Sequence, residues 1–325
     1  MRTILLTFSI LLTYLPLHAQ EKNAWPRPDP GANSVETTSH EWADDARKRV
    51  VPVRIYFPKK INQPAPVIVY SHGTGGSREG YAYLGKFWAS HGYIVVHPQH
   101  AGSDGKSVIG TGKLIDGIKK AAFDPKNAVD RPKDIRFVLD KLANLNKDND
   151  SPLHGKLNLD AVGLAGHSFG AHTTLVTAGQ WMGGLDVRDK RVKAIIPMSA
   201  PVPKAFVDKA YTGITIPSMH MTGTLDDSPI GDTKAKERRV PFDKIQMADK
   251  YLINFEDGDH MIFSGRATLK ERKKDAEFQR CIKQASLAFW DCYLKNDAKA
   301  AAWLTGKGMP DYVGKLATIE SKIVR

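Results

Sequence analysis

The sequence predicts an α/β protein: a doubly wound, mostly parallel sheet with helices on both faces and an antiparallel hairpin at its N-terminal end. Three observations predict it. Continuous apolar runs, Pro66–Ser71 and Tyr93–Val96 among them, read as strands covered on both faces. Stretches of helical period alternate with them, as βα units require. One strand-like run, Leu159–Ala165, ends in Gly166-His167-Ser168-Phe169-Gly170 and leads into a helical stretch, Ala171–Trp181. Strand, sharp turn and helix form the context of a nucleophile elbow, with glycines where a side chain would clash.

The elements follow in order. Met1–Ala19 has an early Arg2, an apolar stretch over Ile4–Leu17 and a small residue before a polar segment. It reads as a cleaved signal peptide, because the apolar run falls short of the roughly 20 residues a membrane span needs. Residues 20–36 are proline-rich and read as an extended arm or linker, and 37–325 as one domain. Thr37–Trp42 and Val50–Phe57 form a hairpin across the charged turn Ala43–Arg49, since Val51, Val53, Ile55 and Phe57 alternate with other residues. The Pro66–Ser71 strand ends in His72-Gly73-Thr74-Gly75-Gly76. A helix over Arg78–Ser90 and the Tyr93–Val96 strand follow. Residues 101–127 lack a clean period and read as a long loop, with one short helix, that could cover the site as a lid. Asp130–Leu145 is a helix with Ile135, Val138, Leu139 and Leu142 on its apolar face. Beyond the elbow come strands over Val192–Met198, Ile214–Met221 and Lys250–Phe255, the last of them. Asp243–Ala248 is weakly helical, and Glu271–Leu294 is a long closing helix. Cys281 and Cys292 lie about 16 Å apart along that helix at 1.5 Å per residue, out of disulfide reach, and read as core residues.

The net charge is +12, spread in short pairs such as Lys119-Lys120 and Arg238-Arg239. No basic and aromatic stripe suggests nucleic acid. The charge reads as a solvated surface, with weak attraction to anionic surfaces as the sharper alternative.

A serine nucleophile needs a base, and the base needs a partner that fixes its tautomer. In an open parallel sheet such groups gather at the C-terminal strand ends. Asp226 follows one late strand there and His260 follows the last, giving the order Ser168, Asp226, His260. Asp227 is the local rival for the acid, and Asp257 and Asp259 are placed to shape the His260 loop. The backbone N–H groups of Phe169, at the helix N-terminus, and of Thr74, in the glycine loop, are the expected oxyanion donors. His72 reads as a brace for that loop, His167 as packing beneath the elbow and His172 as structural. His97, His100 and Asp104 have ligand chemistry but no defined spacing, so loop bracing is preferred to a metal; no cofactor is expected.

On these residues the chain resembles the α/β-hydrolases. Within them it is similar to dienelactone-hydrolase-related and platelet-activating-factor-acetylhydrolase-like serine esterases, neighbours of cutinase-like polyester hydrolases. The likeness rests on Trp42–Arg49 with Val53–Pro58, on Tyr70–Glu79, Ser90–Pro98 and Arg131–Asp140, on the elbow, and on Gly258–Phe263. It departs from dienelactone hydrolases in carrying serine at 168. It departs from the acetylhydrolases in ending an earlier strand with Met198-Ser199-Ala200-Pro201, without an acid. The resemblance implies a carboxylic ester hydrolase for small or polymeric esters; the leader at Met1–Ala19 implies a secreted or periplasmic protein, and the lack of a large apolar cap segment implies a short to medium acyl chain. A peptidase or acyltransferase using the same three residues, and a non-catalytic binding protein of this fold, are the alternatives.

Overall fold

The computed structural model describes residues 25–109, 114–265 and 274–324. The expected leader (1–19), the start of the arm, the middle of the expected lid and the residues just before the long C-terminal helix lie outside them.

Nine strands form one sheet in the order β1-β2-β4-β3-β5-β6-β7-β8-β9. The strands are β1 (Val35–Asp44), β2 (Arg49–Pro58), β3 (Ala65–Ser71), β4 (Ile94–Pro98), β5 (Leu157–His167), β6 (Val192–Met198), β7 (Ser218–Leu225), β8 (Lys250–Asp259) and β9 (Ala317–Lys322). The helices are α1 (Ala82–Ser90), α2 (Gly105–Ile109), α3 (Leu114–Phe123), α4 (Pro125–Lys147), α5 (Phe169–Ala178), α6 (Val207–Ala210), α7 (Val240–Lys244), α8 (Asp275–Lys295), α9 (Ala298–Thr305) and α10 (Gly308–Val313). From β4 to β8 neighbouring strands run parallel; the β1–β2, β2–β4 and β8–β9 pairs are antiparallel. This is the α/β-hydrolase arrangement the sequence predicts.

The period of two explains the two faces. In β3 every residue is buried, yet Val67 and Val69 join one apolar cluster and Ile68 and Tyr70 the other. The first cluster packs under α4 and α5, through Ile135, Val138, Leu139, Leu142, Ala171 and Leu175. The second packs under α1 and α8–α10, through Trp88, Phe278, Phe289, Trp290 and Trp303. Cys281 and Cys292 are free thiols on α8.

Several elements differ from expectation. The last strand is β9, not β8: it pairs antiparallel along β8, from Lys250 opposite Lys322 to Phe255 opposite Ala317. Its residues are mostly exposed and include Glu320 and Lys322, so it carries no apolar signal; charges of this kind guard an edge against further pairing. The stretch 101–127 contains α2, α3 and the start of α4. Only Gly117 and Ala121 of α3 are buried, and such small residues leave no apolar stripe to read. Helix α4 starts earlier than expected because Asp124 caps it, accepting from the Lys126 N–H, with Pro125 at the first helical position. Helix α1 starts at Ala82, four residues after Arg78, with Tyr81 in the left-handed region just before it. Strand β7 starts at Ser218, after Pro217, and runs on to Leu225, which brings Asp226 directly to its end.

The described part of the arm, from Trp25 onward, lies on the body. The Trp25 ring stacks on Trp303 at 5.4 Å, and the Arg27 N–H donates to the Gln284 side chain at 2.8 Å. No helix among the described residues is long and apolar enough to cross a membrane.

Candidate active site

Strand β5 ends at His167 and α5 begins at Phe169, so Ser168 alone makes the turn. Its backbone sits at φ 55°, ψ −118°, a strained conformation for a residue with a side chain. The surrounding backbone holds it there. The Ser168 N–H donates to the Met198 carbonyl at 2.9 Å, and its own carbonyl accepts from Ala171 and His172. The crossing leaves no room beside it. A Cβ on Gly166 would lie 2.4 Å from the Gly170 carbonyl oxygen, and one on Gly170 would lie 1.9 Å from that of Ser71.

Ser168, Thr74 and Phe169 share the wall of one cavity of ≈ 740 Å³, whose other lining includes Phe123, Val202, Ile230 and Val240. Among the described residues, nothing accepts or donates a hydrogen bond at the Ser168 hydroxyl, which fronts this space. As the first residue of α5, Phe169 has a backbone N–H without a helical acceptor. Phe123 comes from α3, so the 101–127 stretch does form part of the wall.

The acid and base come together at the far strand ends. Asp226 is fully buried, and its Oδ1 accepts from His260 Nδ1 at 2.7 Å. Its Oδ2 accepts from the hydroxyls of Ser199 and Thr222, the latter at 2.9 Å. With Nδ1 donating, Nε2 is left as the basic nitrogen of a neutral imidazole. The rival Asp227 and the two loop carboxylates have other partners. Asp227 is exposed and accepts from the Ala235 N–H and Lys234, Asp257 meets Lys274, and Asp259 caps the Met261 N–H. No hydrogen bond joins Ser168 to His260 among the described residues; such contacts often close only in a substrate complex. What joins them is His167. Its Nε2–H donates to the His260 carbonyl at 2.9 Å, and its Nδ1 accepts from the Tyr81 hydroxyl at 2.8 Å. Burial holds the His167 imidazole neutral by pushing its pKa well down. The residue before Ser168 thus ties the His260 loop to the elbow, and its ring lies 4.6 Å from that of His260.

Arg238 is missed in the sequence, where it pairs with Arg239 as surface charge. Arg239 is exposed and meets Asp243 and Glu320. Arg238 is 3 % exposed and reaches inward: Nε donates to the Asp226 carbonyl at 3.0 Å, and Nη1 to the Ser199 carbonyl at 2.7 Å. Its Nε also lies 3.4 Å from Asp226 Oδ1. Burial lowers its pKa, and the Asp226 carboxylate opposes that. The only signal that could have found it is long-range, since the residue that needs it is Asp226.

The candidate metal residues point to separate partners. His97 Nδ1 donates to the Gly80 carbonyl at 3.1 Å, His100 Nδ1 to Asp134 at 2.9 Å, and Asp104 accepts from Gln99 at 2.7 Å. His72 braces the glycine loop, donating from Nδ1 to the Gly73 carbonyl and accepting at Nε2 from the His100 N–H. His172 stands one turn into α5 beside the Phe169 ring, at 5.8 Å.

A family model described as PET hydrolase-like matches residues 19–307. The platelet-activating factor acetylhydrolase of Cavia porcellus is 26% identical over 290 residues, covering 78% of this chain. The chain spans 63% of the length of that relative.

Proposed function

The chain belongs to the PET hydrolase-like family, and we propose that it hydrolyses carboxylic esters through an acyl-enzyme on Ser168. His260 Nε2 takes the Ser168 proton as the hydroxyl oxygen attacks the ester carbonyl. The backbone N–H groups of Thr74 and Phe169 receive the oxyanion at the N-terminus of α5. His260 then passes its proton to the departing alcohol, and water repeats the sequence on the acyl-enzyme. Asp226 keeps Nδ1 protonated and offsets the charge that forms on the imidazole.

The observation that carries this reading is the His260–Asp226 hydrogen bond, buried beside a strained serine on the wall of a cavity. The acetylhydrolase relative supports an acyl ester as substrate. The cavity wall is mainly apolar, which suits an acyl chain of short to medium length on a small or polymeric ester. The leader-like Met1–Ala19 segment supports export.

The test is hydrolysis of p-nitrophenyl acetate, butyrate, octanoate and palmitate by the protein and by Ser168→Ala. Turnover of the short esters by the wild type alone, with loss of several orders of magnitude in the variant, supports the reading. Equal inactivity on every ester, with no fluorophosphonate labelling of Ser168, would leave a binding protein of this fold.

A further inference from the structure

We propose that Arg131, on the buried face of α4, is a positioning residue for the oxyanion hole and gives that hole a standing positive field; this rests on the ester-hydrolase reading above.

The geometry starts with the guanidinium itself. Arg131 is 0% exposed, yet among the described residues no carboxylate forms an ion pair with it. Every acceptor it has is a neutral oxygen. Nε donates to Thr173 Oγ1 at 2.9 Å, Nη1 to Ser103 Oγ at 2.9 Å, and Nη2 to Ser71 Oγ at 3.0 Å and to the His72 carbonyl. Its carbon lies 4.6 Å from the centre of the Phe169 ring. An unpaired buried cation is costly for a fold to keep, so its surroundings point to a use.

Those partners are the segments that carry the two oxyanion donors. His72 lies two residues before Thr74 and hangs on Arg131 through its carbonyl. Gly75 lies one residue after Thr74, and its N–H donates to the Ser103 carbonyl at 2.8 Å. Ser103 in turn holds Arg131 through its hydroxyl. Thr74 is therefore pinned on both sides to the same guanidinium. The other donor, Phe169, has its ring under that guanidinium, and Thr173, one turn along α5, anchors Nε. One planar five-donor fork registers the glycine loop against the helix N-terminus, which a lysine's point charge cannot do.

The hydrogen bonds behind Arg131 also have a direction. Ser71 Oγ accepts from Arg131, so its own proton goes to His100 Nε2 at 3.0 Å. His100 Nδ1–H then goes to Asp134 at 2.9 Å. Ser71, His100 and Asp134 are all fully buried, so this second serine, histidine and aspartate chain has no access to substrate. Asp134 is itself held by Arg47 and Arg49, at 2.8 Å each. Shared with those cations and forming no ion pair with Arg131, it offsets the Arg131 charge only in part. Burial lowers the Arg131 pKa to about 9, which still leaves the group charged at neutral pH.

The test compares Arg131→Met, Arg131→Lys and Ser71→Ala with the wild type, and uses the exposed Lys133→Met as control. Three quantities are read: kcat and KM on p-nitrophenyl butyrate, the affinity of a butyl boronic acid, whose boron becomes tetrahedral on bonding Ser168 Oγ and presents an oxygen to the oxyanion donors, and the rate of fluorophosphonate labelling. Melting curves establish which variants fold. Loss of one oxyanion donor costs about 10²–10³ in kcat. Arg131→Met should fall by that much with KM within about threefold, and boronate affinity should fall in proportion. Arg131→Lys should recover part of the loss, and Ser71→Ala should lose roughly tenfold. A folded Arg131→Met with wild-type kcat, or with only KM raised, overturns the proposal. If Arg131→Met does not fold, unchanged kcat and boronate affinity in both Arg131→Lys and Ser71→Ala overturn it. If the wild type cleaves no ester but is labelled at Ser168, the ester reading fails while the labelling rates still decide the role of Arg131. If Ser168 is not labelled at all, both fail.

Discussion

The two halves of the site each bury an arginine, and they treat its charge in opposite ways. Behind the nucleophile, Arg131 meets only neutral oxygens. Behind the acid, Arg238 lies 3.4 Å from the Asp226 carboxylate. The difference matches the charge each half must accept. In the proposed reaction negative charge develops on the ester oxygen beside Thr74 and Phe169, where a cation without a contacting carboxylate helps. In the same proposed reaction positive charge develops on His260, where a bare cation would oppose proton transfer, and there Asp226 compensates Arg238. The halves also differ in support. The elbow is held by backbone crossing backbone, whereas the acid is held by side chains from β6, β7 and the segment before α7.

The sharpest way to break the comparison is Asp226→Asn. The amide keeps the shape but disturbs the His260 tautomer and leaves Arg238 unpaired. Ester turnover should fall by about 10³–10⁴, and Asp227→Asn, whose carboxylate faces Lys234, should stay within about twofold. Equal losses in both would mean that the acid is wrongly assigned. The next effect lies in the other half. Gly170→Ala puts a methyl group into the Ser71 carbonyl, where backbone cannot yield. A loss of about 4 kcal/mol is expected, lowering the melting temperature by about 10 °C, and a smaller shift than half of that would show that the elbow crossing can relax. Arg238→Met should lower kcat about 10–100-fold while Arg239→Met leaves it unchanged. Parallel behaviour of the two would return Arg238 to the surface class.

The smallest effect concerns the histidines that stay neutral in the fold. Burial lowers His97 to about 3, below its unfolded value of 6.5. Between those values the unfolded chain binds one more proton than the fold, so this contribution is present above pH 6.5 and is lost as pH falls. The slope of unfolding free energy against pH owes His97 about 1.4 kcal/mol per pH unit in that window. His97→Gln should flatten it by that amount in denaturant melts from pH 6.5 to 4.5, and an unchanged slope would mean that the imidazole charges in the folded state.

How much was legible follows from the range of each interaction. The parallel core was legible because burial on both faces leaves continuous apolar runs in β3, β4 and β6. The Ser168 turn was legible because its steric demands fall on residues two positions away. Asp226 and His260 were legible by position, since strand ends in such a sheet converge. β9 was not, because a polar edge strand owes its pairing to β8, reached only after α8–α10. Helix α3 was not, because it buries glycine and alanine.

By itself the sequence determined the α/β-hydrolase architecture, the tight turn at Ser168 and the order in which the candidate serine, aspartates and histidine follow one another. These depend on local sterics and on apolar periodicity, which act over a few residues. Only the tertiary structure decided which aspartate meets His260, that His167 links the elbow to the base loop, and that Arg131 and Arg238 lie inside. A charged side chain reads the same in sequence whether water or a buried carbonyl receives it. Which one does depends on partners brought in from distant strands.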